Sequence, residues 1–525
     1  MRLLILLGFV AFAHSATAQT PGSCVNGTAQ ADLGTSQVFA RLFNTGALFF
    51  GNQTNIGDGY RVPRARGLSS VFAAAFWVGG TVNGEVRTAA ARYQDYEFFP
   101  GPLNPGATLP DPASCAAYDR IYVVSPDDVA AYQAGGMATA DLAEWPVGLG
   151  APAVDAQGQP VPVGSREQRI DLPGGERPVL RGGPTAFWVM NDVGGPHVGG
   201  NPLGVEVQVT AFATTGGSLA LRQSTVYRYN VINRSAQAIS GLHTGFYVDT
   251  DLGNSNDDYV GTDVARGMAY TYNGAPTDSQ YGVPPALGLD LLSGLWSAMT
   301  SFDGGPTDDP DVPDAFYFRL KGLWNDGTPM RAAGYGYGAQ GGAPVTRFIF
   351  NGDPVRNEPW SQGNPGGGGP PQIPEDRRLM LSAPAVTLAP GASTTVDLAI
   401  VFGQGTSNLN SVTALRAASD AVQAAYDAGA LFPVAGDAGP LPAGALALGA
   451  PHPNPARGDV RFAVATAGAF RLRLVDVLGR TVLEQRLGGG TREARLDVRR
   501  LAPGTYAVVL DTAEAQAVRM LTVVR

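Results

Sequence analysis

LALRQSTVYRYNVINRSAQAISGLHTGFYVDTDLGNSNDDYVGTD, residues 219–263, is the stretch whose periodicity sets the fold class. Leu219, Leu221, Tyr227, Tyr229 and Val231 share one face of a period-two pattern, which predicts a strand over 219–232. Asn233-Arg234-Ser235 spells a glycosylation acceptor but reads better as a turn, and 239–248 as the strand returning beside the first. The predicted hairpin ends in an acidic loop. Asp249, Asp251, Asn254, Asn256, Asp257, Asp258 and Asp263 place seven side-chain oxygen donors in fifteen positions.

Calcium takes roughly six to eight oxygen ligands from carboxylates, amides and carbonyls. Asp249, Asp251, Asp257 and Asp258, with Asn254 and Asn256, form a candidate calcium set, and Gly253 permits the sharp turn such a loop needs. The loop is not an EF-hand, because Asn254 and Val260 stand where that motif needs Gly and a bidentate Glu. The alternative is a solvated turn whose Asp and Asn side chains cap their own backbone. A second acidic run (Asp303, Asp308, Asp309, Asp311 and Asp314) is interleaved with prolines and reads as a surface loop.

Outward from this stretch, strand signals recur. VFAAAFWV predicts a strand ending at Gly79-Gly80, followed by a tight hairpin at Asn83-Gly84. Further strands are predicted at 120–124, 186–190, 205–213, 379–388 and 395–402, the last two joined by the turn Leu388-Ala389-Pro390-Gly391. One helix is expected over 407–428, capped by Ser407 or Asn408, with Leu409, Val412, Leu415, Val422 and Tyr426 on its apolar stripe. Residues 361–374, SQGNPGGGGPPQIP, read as a flexible segment. With 70 Gly, 40 Pro and 44% hydrophobic residues against 15% charged, the chain is folded, rich in turns and mainly β. The expected body is a multi-domain β-sandwich: 19–360 β-rich, and 375–432 adding strands and the helix.

At the N-terminus, Arg2, the apolar run Leu3–Ala13 and Ala16-Thr17-Ala18 form a signal peptide over 1–18, too short for a membrane span. No later apolar run reaches spanning length. In an oxidising compartment Cys24 and Cys115 can pair, tying the N-terminal arm to the loop after PGPLNPG, or stay free. Two cysteines without nearby His do not complete a zinc site. Net charge is −9, and an acidic body is a poor ligand for nucleic acid.

The C-terminus differs. Residues 453–525 carry 12 Arg against 7 Asp and Glu, while the remainder has 24 basic and 38 acidic residues, so a separate module follows a linker at 433–452. Val460, Phe462 and Val464 alternate inward, as do Phe470, Leu472 and Leu474, then Tyr506, Val508 and Leu510, then Val518, Met520 and Thr522. Strands at this spacing imply a small immunoglobulin-like β-sandwich. Pro453-Asn454-Pro455, the Asp476–Arg480 turn, Leu501-Ala502-Pro503-Gly504-Thr505-Tyr506 and the terminal Val523-Val524-Arg525 resemble the C-terminal sorting domain of type IX secretion cargo. The resemblance implies passage through the periplasm and outer membrane by the type IX machinery, acting on 453–525. It implies a secreted or outer-surface product, the domain often being removed and the cargo joined to surface lipopolysaccharide. Residues 76–103, 187–195, 202–213 and 270–282 resemble large exported proteins carrying the same domain, which bears on location and architecture and not on chemistry.

The expected function is structural or adhesive display at the cell surface. The alternatives are a carbohydrate-binding module, with glycans as partners, and a glycoside hydrolase. No Gly-x-Ser-x-Gly elbow, HExxH helix or phosphate loop is present. His197 reads as a loop residue and His243 as a strand residue; Glu97 and Glu206 are the least turn-like acids. Trp77 and Trp188 read as core, whereas Trp324 and Trp360, in WNDG and EPWSQG, are the candidate sugar-facing rings.

Overall fold

The computed structural model describes residues 24–50, 59–93, 96–110, 113–197, 200–302, 304–338, 342–366, 370–432, 447–448, 451, 456–466, 468–476, 480–488, 491, 493–502, 504–512 and 516–523. The signal peptide, most of the linker, Asp303 and the Pro453-Asn454-Pro455 motif lie outside them.

Two antiparallel sheets build the body. One runs, in spatial order, Asp258–Asp263, Met268–Asn273, Ala286–Leu291, Ser393–Gly403, Thr225–Asn233, Val205–Ala213, Thr185–Asn191 and Phe99–Pro100. The other has Ala73–Val82, Ile239–Asp249 and Arg378–Ser382 at its centre, flanked by Phe39–Phe43 and Ser297–Thr300. Their inner faces share one hydrophobic core, in which Phe76 of the second sheet stacks on Tyr229 of the first at 4.4 Å.

The predicted hairpin does not form. Thr225–Asn233 and Ile239–Asp249 lie in different sheets, and the chain changes layer between them. Alternation in two neighbouring strands is the same whether they pair or face each other across a core. The crossing is held by polar side chains: Asn233 Nδ2 donates to the carbonyls of Gln237 (2.8 Å) and Leu388 (2.9 Å), and Arg234 clamps Glu206 at 2.8 Å. Asn233 is fully buried, in agreement with the turn reading. Leu219 and Leu221 belong to a short helix, Leu219–Arg222, capped by Ser218, and the strand starts only at Thr225.

The strand Ala73–Val82 runs through Gly79 and Gly80 instead of stopping there. A Cβ on Gly79 would lie 3.0 Å from Leu320 and 3.1 Å from Tyr317, so the missing side chain lets the helix Pro313–Leu320 settle on the sheet's outer face. Asn83-Gly84 turns as expected, both at positive φ.

The helix Asn408–Asp427, capped by Ser407, covers the outer face of the first sheet with Val412, Leu415 and Val422. Each such side chain contributes roughly 1.5–3 kcal/mol when fully buried. Leu409, expected on the stripe, is exposed instead; in that first turn Asn408 and Ser411 face the body, donating to the carbonyls of Asn273 and Pro284. The 361–374 segment is anchored at both ends: buried Gln362 accepts from Val260 N, and its Nε2 bonds Gln372 at 3.1 Å.

Cys24 and Cys115 form a disulfide. Beside it, Thr28 donates to the Asp119 carboxylate through N and Oγ1, fixing the N-terminal arm.

From Ala447 the strands form a three-stranded and a four-stranded sheet enclosing a core that, among the described residues, draws on Leu448 to Val523 alone. Val460, Phe462, Val464, Phe470, Leu472, Leu474, Tyr506, Val508 and Leu510 are buried as patterned. In the last strand Leu521 and Val523 are buried, and Leu521 lies across from inward-facing Tyr506, while the side chains of Val518, Met520 and Thr522 lie outside those described.

Candidate metal centre

The strand Ile239–Asp249 ends by carrying Asp249 into a buried position opposite Arg378 of the adjacent strand. Asp251 adopts a left-handed backbone, φ 27°, and Gly253 follows at φ 80°, so the chain reverses sharply. Asp376, two residues before Arg378, is brought to the same corner by the strand pairing. One carboxylate oxygen from each of Asp249, Asp251 and Asp376 lies within 4.8 Å of the others. Buried Asp258 borders them and closes the loop, its Oδ2 accepting from Leu252 N at 3.1 Å.

Burial and the neighbouring carboxylates of Asp251 and Asp376 push the Asp249 carboxyl up to about 7. Burial and Asp376 raise Asp251 to about 6, and burial, with Asp257, Asp251 and Asp376, holds Asp258 well above the usual range. Compensation is partial. Tyr93 donates its hydroxyl to Asp249 Oδ2 at 2.7 Å; Arg378 lies 2.9 Å from Asp376 and 3.8 Å from Asp249. The Oδ1 atoms of Asp249, Asp258 and Asp376 are buried without a hydrogen-bond partner among the described residues. An all-oxygen donor set of this charge suits a hard cation such as calcium, not a thiolate- or imidazole-seeking metal.

The structure divides the six residues that the sequence groups together. Asp249 and Asp251 converge, with Asp258 beside them. Asn254, Asn256 and Asp257 turn away: Asp257 accepts from Asn273 (2.5 Å) and Asn254 (3.3 Å), Asn254 N donates to Asp278 at 3.0 Å, and Asn256 N to Asn254 Oδ1 at 3.4 Å. That half of the loop is a self-capping turn. Asp376 was not among the sequence candidates. Asp309 of the second acidic run also comes near: the Tyr247 hydroxyl lies 3.1 Å from its Oδ2 and 2.8 Å from the Tyr93 hydroxyl.

The other candidates are committed internally. His197 lies in a loop, as read, but its side chain is committed: Nδ1 lies 2.7 Å from Glu97 Oε2, with both side chains buried. Glu206 is buried and accepts from Leu103 N at 2.9 Å as well as from Arg234. His243 is buried with Nδ1 3.1 Å from the Ala383 carbonyl, and burial depresses it to about 4. Trp324 and Trp360 do not face solvent: both are buried, and Trp324 donates to the Gly336 carbonyl at 2.9 Å.

The geometry defines a β-sandwich body joined to a second small sandwich. Residues 451–524 match the secretion system C-terminal sorting domain. The chain therefore carries a type IX sorting domain and is exported to the cell surface or secreted. No curated protein matches the chain. Among solved structures, a polysaccharide lyase is 10% identical over 61% of this chain and 34% of its own, at TM-score 0.20. Dimeric latent PorU from Porphyromonas gingivalis is 8% identical over 65% of this chain and 31% of its own, at TM-score 0.14. The chain thus spans about a third of either structure's length. Among the described residues no helix is long and apolar enough to cross a membrane.

Proposed function

We propose that the protein is a structural or adhesive component displayed at the cell surface by the type IX route. The observation that carries this reading is the C-terminal sandwich, with its own core, on a body whose Glu97, His197 and Glu206 are engaged internally. Glu97, Glu206, His197 and His243 hold parts of the fold together, and Trp324 and Trp360 pack inside it. These commitments favour a load-bearing body over a hydrolytic cleft or an aromatic sugar platform. The exporter recognises 453–525, and the freight is the acidic sandwich.

The test has two arms. Deleting residues 453–525 in the native host is expected to retain the body in the periplasm; its appearance at the surface or in the medium would sink the export role. Cells lacking the protein should attach less well to surfaces and to one another, with attachment restored by the full chain. Release of reducing sugar from polysaccharide by the purified body would overturn the structural assignment.

A further inference from the structure

We propose that Asp249, Asp251 and Asp376 bind one calcium ion, with Asp258 as a fourth carboxylate beside it, and that this ion fastens the 250–258 loop to the strand entering at Arg378. The three ligands come from two chain segments that antiparallel pairing alone brings together. The carboxylates stand in a largely buried corner with one close guanidinium, that of Arg378, so their repulsion is only partly offset. The Oδ1 atoms of Asp249 and Asp258, buried without hydrogen-bond partners among the described residues, are the second, independent sign. A buried carboxylate oxygen left unpaired is costly, and a cation satisfies several at once.

Calcium fits better than magnesium. Ligands drawn from a sharply turned loop and a strand end give irregular geometry, which calcium tolerates, whereas magnesium demands a near-ideal octahedron and gives up water reluctantly. The cation would not act on a substrate; it would set the conformation of the loop. Asn254 and Asp257 lie outside the site because their oxygens serve Asn273 and the backbone.

The experiment uses the purified exported protein, stripped with a chelator and titrated with calcium chloride or magnesium chloride. Calorimetry should show one calcium site, and the melting temperature should rise with calcium. Asp376→Asn and Asp251→Asn should each weaken calcium binding by at least about tenfold. Asp251→Asn, which removes a repelling charge without breaking an ion pair, should melt higher than wild type in chelator, so its loss of calcium response cannot be loss of fold. Asp257→Asn should keep the full response. No heat and no melting shift at millimolar calcium would overturn the proposal, as would an undiminished response in Asp376→Asn. A magnesium response equal to that of calcium would overturn the choice of ion.

Discussion

Phe76 and Tyr229 stack face to face across the two sheets, ring centroids 4.4 Å apart and planes 8° from parallel. Phe246 meets Tyr229 edge-on at 5.2 Å, so this one tyrosine is the centre of the sandwich. Its hydroxyl is buried with no hydrogen-bond partner among the described residues. Tyr229→Ala should therefore cost about 3–5 kcal/mol, whereas Tyr229→Phe should be neutral or stabilising. Urea denaturation of the two variants checks this, and a clear loss in Tyr229→Phe would show that the hydroxyl is bonded.

The Glu97–His197 pair sets a pH dependence. Burial alone would lower the His197 pKa, but Glu97 and Asp192 outweigh it and raise it from 6.5 to about 9. A raised histidine stabilises the fold fully below pH 6.5 and loses that contribution as pH climbs through about 9. The loss should be on the order of 3 kcal/mol. Denaturation at about pH 6 and about pH 10 measures it, and Glu97→Gln should flatten the difference.

Asp397 joins the helix to the sheet. It receives Arg228 at 2.7 and 2.8 Å and the Tyr426 hydroxyl at 2.7 Å, and the Arg228 guanidinium lies 3.8 Å from the Phe432 ring centre. Asp397→Ala leaves the part-buried Arg228 guanidinium and the Tyr426 hydroxyl without their acceptor and should cost about 1.5–3 kcal/mol. Tyr426→Phe should cost about 2 kcal/mol. Thermal melts that leave either variant like wild type would refute the anchoring role.

The disulfide spans a sequence separation of 91. Replacing both cysteines by serine should lower stability by about 2–5 kcal/mol, chiefly by freeing the unfolded chain. The same drop should appear in wild type under reductant, and not in the double variant.

The fold class was legible because alternation is strong in Thr225–Asn233 and Val205–Ala213, and because Ser407 announces its helix. Pairing was not. Nothing local distinguishes a hairpin at Arg234 from a change of layer; only the long apolar run GLHTGFYV hinted at a strand covered on both faces. The acidic loop is legible in the sequence and Asp376 beside it is not, because Asp376 is placed by a strand pairing that sequence spacing does not encode. EDRRLML, with its acid just before a strand, was the one available signal. Trp324 and Trp360 misled because polar neighbours sit beside indoles that turn inward.

Since the chain switches layers after Asn233, no contiguous stretch can complete either sheet. Thr225–Asn233 waits for Ser393–Gly403, and Ile239–Asp249 waits for Arg378–Ser382. A polypeptide emerging N-terminus first thus lacks the last strand of its second sheet until residue 388 has emerged, and the central strand of its first until residue 403.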